Sequence, residues 1–288
     1  MTLSFVIVKL VFFINFAQTK LLKKMKIALY TRTDNPSLGD FLEILRANSV
    51  DFQINPTATK GCDYAISFGG DGTFLSSVRK MGRECIPIIG VNSGRLGFLS
   101  TVQKDDADLA IKELINNNFD TISRSMIKII GEIPAEIPHR ALNEFTIQKS
   151  GTAMIMIEIA IDNQDVGTYW ADGVIVSTPT GSTAYSMSVG GAILTPGCGS
   201  FIISPIAPHN LNIRPLVVPD SSNISLRAIT RNNSHAIITI DNREFRAGSG
   251  RGFGLVRSKY ELQTIHLKGN NYYQTLRDKL LWGVDLRK

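Results

Sequence analysis

Cysteine is scarce in this chain. Cys62, Cys85 and Cys198 are odd in number, widely spaced, and lack both a C-x-x-C pair and histidines at ligand spacing. That pattern argues against a disulfide framework and a zinc site, and reads as small buried residues of a reducing, cytoplasmic compartment. Two phosphate motifs are missing as well. There is no G-x-x-x-x-G-K-S/T, which excludes a P-loop enzyme, and no G-x-G-x-x-G between a strand and a helix. A serine hydrolase is excluded by the lack of G-x-S-x-G, and His139, His209, His235 and His266 stand without supporting residues. No Lys/Arg run with interleaved aromatics occurs. The formal charge of +6 owes four units to Lys9, Lys20, Lys23 and Lys24, and the remaining +2 does not make a nucleic-acid surface.

Those lysines fall in a segment with an apolar run from Leu3 to Ala17. Lys9 interrupts the run, the charge follows it instead of preceding it, and it is short for a membrane span. Met25-Lys26-Ile27-Ala28-Leu29-Tyr30 looks like a fresh beginning. Residues 1–24 are therefore expected to be a leader outside the fold, with a weak membrane anchor as the alternative and no stable membrane association expected.

What is present is an ordinary globular composition, 43% hydrophobic and 19% charged in 288 residues, enough for two domains. From Met25 to Arg124, strand-like runs at Lys26–Tyr30, Tyr64–Phe68 and Ile86–Val91 alternate with helical patterns at Leu38–Asn48, Phe74–Gly82 and Asp106–Asn117. Such alternation predicts an α/β domain with a mostly parallel sheet. From Ser125 to Leu267 the period changes to short isoleucine- and valine-rich runs separated by turn pairs such as Asp162-Asn163 and Asp241-Asn242. This region is expected to be strand-rich, with two packed sheets. Gly248 to Gly254 reads as a turn, and residues 268–288 as a helix docking back on the first domain.

Two stretches carry chemistry. Between the strand Tyr64–Phe68 and the helix that follows lies Gly69-Gly70-Asp71-Gly72-Thr73. Its glycines let a ligand approach the backbone, and N–H groups at a helix start favour an anion such as phosphate. Asp71 would be repelled by that ligand unless it binds a cation or takes a proton from a hydroxyl. Phosphoryl transfer to an alcohol reconciles the two, and a capped turn is the bland alternative. The second stretch runs from Thr178 to Ser186. Five of its last seven residues, Thr180, Ser182, Thr183, Tyr185 and Ser186, carry hydroxyls, more than a helix cap needs. It suits ribose hydroxyls and a base edge. The loop Asn92 to Leu99 and the pair Asn143-Glu144 also read as candidate ligand contacts.

Taken together, Gly69-Gly70-Asp71-Gly72-Thr73, Asn92-Ser93-Gly94-Arg95-Leu96-Gly97-Phe98, Asn143-Glu144, Asp172-Gly173 and Ser177 to Ser186 resemble the NAD kinase family in content and order. The resemblance continues through Asn212 to Pro219 and Tyr272 to Arg277. It implies a fold like that of NAD and diacylglycerol kinases, and transfer of a phosphoryl group from ATP or polyphosphate to the 2′-hydroxyl of the adenosine ribose of NAD. By that resemblance Asp71 works at the hydroxyl, with Gly69, Gly70, Gly72 and Thr73 beside the phosphates. Arg95, Phe98, Asn143, Glu144, Asp172, Thr180, Ser182, Thr183, Ala184, Tyr185, Ser188 and Asp241 are the expected binding residues. It further implies Mg²⁺ carried by the nucleotide without a protein metal cage, NAD as substrate and a homodimer or homotetramer. Asp241-Asn242 departs from the Asp-Gly common in the family. A diacylglycerol- or sphingoid-type lipid kinase shares the glycine turn but needs an apolar groove, and a non-catalytic dinucleotide binder would not need Asp71.

Overall fold

A computed structural model describes residues 24–94, 97–231, 234–269 and 271–285. Residues 1–23 of the expected leader and the candidate Arg95 lie outside the described residues.

The first layer is built from β1 (Lys26–Thr31), β2 (Asp51–Ile54), β3 (Tyr64–Phe68), β4 (Ile88–Asn92), β5 (Val102–Gln103) and β6 (Phe119–Arg124). Helices α1 (Leu38–Ala47), α2 (Asp71–Met81) and α3 (Ala107–Ile115) connect them. β1, β3 and β4 are near-continuous apolar runs because both faces of this sheet are covered. On one face Phe41 and Leu45 of α1 join Ala110, Ile111 and Leu114 of α3. On the other, Phe74, Val78 and Met81 of α2 pack with Met126 and Leu142 from the second domain. This second cluster seats the two domains on each other.

Strands β7 (Ile127–Ile130), β8 (Arg140–Ala141), β9 (Glu144–Lys149), β10 (Ile155–Ile161), β11 (Gln164–Ala171), β12 (Gly173–Ser177), β13 (Ser200–Ile206) and β14 (Leu216–Pro219) follow. They are succeeded by β15 (Ile224–Ile229), β16 (His235–Ile240), β17 (Arg243–Gly248), β18 (Gly252–Arg257) and β19 (Leu262–Leu267). Among the described residues these form two antiparallel sheets, ordered β11-β10-β15-β18-β7-β8 and β14-β13-β12-β9-β16-β17, around a shared core with Phe145, Phe201 and Phe253. Asp162 and Asn163 take φ of 50° and 65° between β10 and β11, the left-handed pair a tight hairpin demands. A four-residue α4 (Tyr185–Ser188) and α5 (Tyr272–Leu280) complete the helices.

The fold class matches expectation, an α/β first domain and a second domain of packed antiparallel sheets. Four details differ. β19 does not stay in the second domain: it inserts between β4 and β6, parallel to the first and antiparallel to the second, which makes the first sheet mixed. Helix α2 begins at Asp71 instead of Phe74, because Gly70 is extended at φ −81° and ψ −176° and the chain turns helical directly after it. β4 starts at Ile88, since Pro87 has no N–H to give a ladder. The stretch Gly248 to Gly254 is a turn only at 249–251, and β18 begins at Gly252. Its buried Phe253 and Leu255 alternate with less buried neighbours, a period that its glycines obscured.

Candidate active site

The glycine turn sits at the carboxyl end of β3, where ligands bind in open α/β sheets. Gly69 has φ +151°, and a Cβ there would meet Thr73 Oγ1 at 2.5 Å, so no larger residue fits. At the start of α2 the N–H groups of Asp71 and Gly72 precede the first intrahelical bonds and are free for an anion. They open onto a cleft of about 820 Å³ bordered by Arg32, Asn55, Gly70, Thr73, Lys80 and Asn242. Lys80 Nζ donates to Asn55 Oδ1 at 3.1 Å, and Arg32 pairs with Asp34 at 2.7 Å. Thr73, Ser76, Ser77 and Lys80 follow helical spacing and put a polar stripe of α2 on this cleft. Neither Lys80 nor Arg32 stood out beforehand, although the stripe was legible in that spacing.

Asp71 faces the loop after β4. Its Oδ2 accepts the Phe98 N–H at 2.8 Å, and its Oδ1 accepts those of Leu99 and Ser100 at 3.1 and 3.0 Å. A Cβ on Gly97 would lie 2.0 Å from Asp71 Oδ1, so the loop closes on the carboxylate only with glycine there. Oδ2, with one bond, retains capacity for a hydroxyl. Lys279 of α5 lies over the Phe98 ring at 5.9 Å, which holds the carboxy-terminal helix against this loop.

The second domain carries the other candidate residues. Asn143 precedes β9 and Glu144 opens it, and both side chains are buried with Asn143 Oδ1 and Glu144 Oε2 lacking hydrogen-bond partners. Buried polar atoms are rarely left so. The hairpin residue Asp241 accepts the N–H groups of Leu142, Asn143 and Glu144 at 3.0, 2.8 and 3.2 Å and thereby holds the segment in place. Burial, then the nearby charge of Asp241, pushes the Glu144 carboxyl up to about 8. Burial lifts Asp241 to about 6 against the lowering effect of its three backbone hydrogen bonds. Burial thus favours the protonated form of Glu144, which can donate as well as accept.

The hydroxyl-rich turn divides its labour. Thr178 Oγ1 donates to Leu142 O, and Ser182 Oγ donates to Pro179 O at 2.7 Å while accepting Leu194 N–H at 2.9 Å. Ser182 is fully buried and braces the turn from within. Thr183 Oγ1 donates back to Thr180 O at 3.4 Å, and Ala184 is half-buried where the single 3-10 turn of residues 181–183 gives way to α4. Tyr185 and Ser188 are exposed, and Tyr185 Oη accepts from Gln148 Nε2 at 2.9 Å. Asp172 pairs with Lys149 at 2.6 Å at the far end of β12 from Ser177, roughly 16 Å along the strand. Asp71 is thus joined to the loop at Phe98, Asp241 to Asn143 and Glu144, and Thr180 to Arg124, whereas Asp172 and Tyr185 lie with Lys149 and Gln148.

Arg124, at the end of β6, had no sequence signal. It is 4% exposed, and its Nε donates to Thr264 Oγ1 at 3.0 Å while Nη1 donates to Thr180 Oγ1 at 3.3 Å. One guanidinium thus ties the first sheet to the hydroxyl-rich turn. Burial lowers it to about 10, and the charges of Tyr272 and Asp71 act in the opposite direction. His266, bonded to the same Thr264 at 3.0 Å, is held at about 4 by burial and then by Arg124. Among the described residues no three His, Cys, Asp or Glu side chains converge on a metal position, and no helix is long and apolar enough to cross a membrane.

A glycine turn at a helix start with a carboxylate in the first turn, opening on a polar cleft, suits a phosphotransferase acting on an alcohol. Residues 21–119 match the family model of the ATP-NAD kinase N-terminal domain, and residues 142–267 that of the ATP-NAD kinase C-terminal domain. The chain belongs to the NAD kinase family. It is 40% identical to the NAD kinase of Cytophaga hutchinsonii over 259 residues, 88% of each chain. It is 38% identical to that of Flavobacterium johnsoniae over 294 residues, covering 91% of this chain and 100% of the relative. An Archaeoglobus fulgidus NAD kinase solved with ATP superposes with a TM-score of 0.76 at 26% identity, over 89% of this chain and 99% of the other. Yeast NADH kinase solved with NADH shares the fold, with a TM-score of 0.82 at 20% identity over 92% and 89%.

Proposed function

We propose that this NAD kinase uses ATP as donor and that Asp71 receives the proton of the 2′-hydroxyl on the adenosine ribose of NAD as the terminal phosphoryl group is transferred to that oxygen, giving NADP and ADP. The observation that supports this reading is the Asp71 carboxylate in the first turn of α2, next to the glycine turn and oriented by the loop after β4, with one backbone N–H on Oδ2. The cleft beside Gly70, Gly72 and Thr73 suits the triphosphate, with Lys80 supplying positive charge along it and Arg32 already balanced by Asp34. Asn143, Glu144 and Thr180 suit the dinucleotide. Oδ2 of Asp71 accepts one backbone N–H and has room for the hydroxyl proton, which removes charge from the attacking oxygen as the bond to phosphorus forms.

The donor set fits a divalent cation carried by the nucleotide: of the carboxylates near the glycine turn, Asp34 is paired with Arg32 and Asp71 already accepts three backbone N–H groups, too little for a cage of protein oxygens. Mg²⁺ bound to the phosphates would neutralise charge on the transferring group. A dimer or tetramer suits this reading, because Asp172 and Tyr185, by Lys149 and Gln148 at the end of β12 away from Ser177, could complete a neighbour's site. We further propose a cytoplasmic location, in keeping with three unpaired cysteines, of which Cys198 is exposed and Cys62 and Cys85 half-buried instead of buried as expected.

The test is formation of NADP from NAD by the purified full chain with Mg²⁺ and, in parallel, ATP, GTP and polyphosphate, with NADH and diacylglycerol as alternative acceptors. NADP from NAD and ATP is expected. Transfer to diacylglycerol, or to NAD from polyphosphate alone, would overturn the acceptor or the donor respectively.

A further inference from the structure

The nucleotide cleft occupies one polar face of α2, and a neighbouring face borders a second, smaller cavity of about 60 Å³ enclosed by α2, the segment 138–142 and the β16–β17 hairpin. Three arginines line it: Arg79 from α2, Arg140 from β8 and Arg243 from β17. The one carboxylate in the lining is Asp241, whose oxygens already accept three backbone N–H groups. Among the described residues none of the three arginines forms an ion pair.

Arg140 is held firmly. Its Nη2 donates to Gly82 O at 3.0 Å, its guanidinium lies 4.9 Å from the Tyr260 ring, and its Nη1 is buried without a partner. Arg79 and Arg243 line the same cavity, and Arg79 is held below its usual basicity by burial and then by the charge of Arg243. Arginines drawn together in a partly enclosed space are ordinarily compensated, and their planar forks match oxyanions. The volume exceeds the 10–15 Å³ or so that one water requires, and it suits a single tetrahedral group, not a nucleotide.

We propose that this cavity binds one phosphate group, held by Arg79, Arg140 and Arg243, separately from the donor cleft. The ligand spans α2, β8 and the hairpin that carries Asp241, and so ties together the elements that hold Leu142 to Glu144. Asn242 borders both cavities, so the group can be free orthophosphate or the end residue of a polyphosphate lying in the cleft.

The experiment is calorimetric titration of the full chain with inorganic phosphate at constant ionic strength, the donor cleft first saturated with a non-hydrolysable ATP analogue. Saturable binding to one site is expected, absent with chloride. Arg243→Gln, at an exposed position that does not disturb folding, should weaken it about tenfold, and Arg140→Gln at least as much. A parallel titration with tripolyphosphate distinguishes the sources, because only a ligand reaching into the cleft is displaced by the analogue. Absence of saturable phosphate binding, or equal affinity in wild type and Arg243→Gln, overturns the proposal. Binding and not turnover is read, so the outcome is independent of the acceptor assigned above.

Discussion

The Asp71 carboxylate, in the first turn of a helix, accepts the backbone N–H of Phe98 at 2.8 Å from a loop 27 residues away. That bond, with those from Leu99 and Ser100, orients the carboxylate and makes the loop part of the site. Asp71→Asn keeps an acceptor for the loop but cannot take a proton. Turnover should fall by about 10²- to 10⁴-fold, the usual scale for loss of a general base, while the Kd for NAD stays within a few-fold. NADP formation and calorimetry on the same preparation check the two halves, and substantial turnover would remove Asp71 from the role.

Gly97→Ala probes the same contact from the other side. A Cβ 2.0 Å from Asp71 Oδ1 forces carboxylate and loop apart, at a cost of about 1–3 kcal/mol for an overpacked contact. Turnover should drop at least tenfold with a lowered Tm. Unchanged kinetics would show that the loop is not required to close on Asp71.

Arg124 yields a different signature. Replacing a buried, incompletely paired charge with an apolar side chain of similar length is often neutral or stabilising. Arg124→Met should therefore leave Tm level or higher, while kcat falls about 10²-fold through loss of the bond to Thr180 and of positive charge beside Asp71. A drop in Tm that tracks the loss of activity would reduce Arg124 to a structural strut.

Glu144 makes stability depend on pH. Its folded-state value of about 8 lies above the ordinary 4.5, so the folded chain holds a proton that the unfolded chain releases between those values. The stability contributed by the neutral form is complete below pH 4.5 and is lost as pH rises through 8. Asp241 acts in the same sense over a lower range, up to about 6, whereas His266, lowered to about 4 from 6.5, favours the folded state as pH rises between those values. Glu144→Gln isolates the first effect. The Tm of the variant minus that of wild type should grow more positive from pH 5 to about pH 8 and level off above it, and a difference independent of pH would exclude a raised Glu144.

Much of this protein was legible in its amino acids alone, for reasons of local chemistry. Three glycines around Asp71 announce a backbone that a ligand can approach, and unbroken apolar runs at β1 and β3 announce a sheet covered on both faces. Alternation at β10 and β15 announces strands with one face in a core, and the clustered hydroxyls from Thr180 to Ser186 announce a polar wall. Each of these is a property of neighbours in sequence. The tertiary structure alone decided that β19 returns to the first sheet, that Arg124 reaches Thr180 across the domain seam, and that Asp241 holds the amides of residues 142–144 from 97 to 99 positions away. It also separated Asp172 from the residues it was grouped with, and set Arg79, Arg140 and Arg243 around one cavity. Those relationships join side chains far apart in the chain, whose proximity arises from how two cores pack and leaves no periodicity in the sequence.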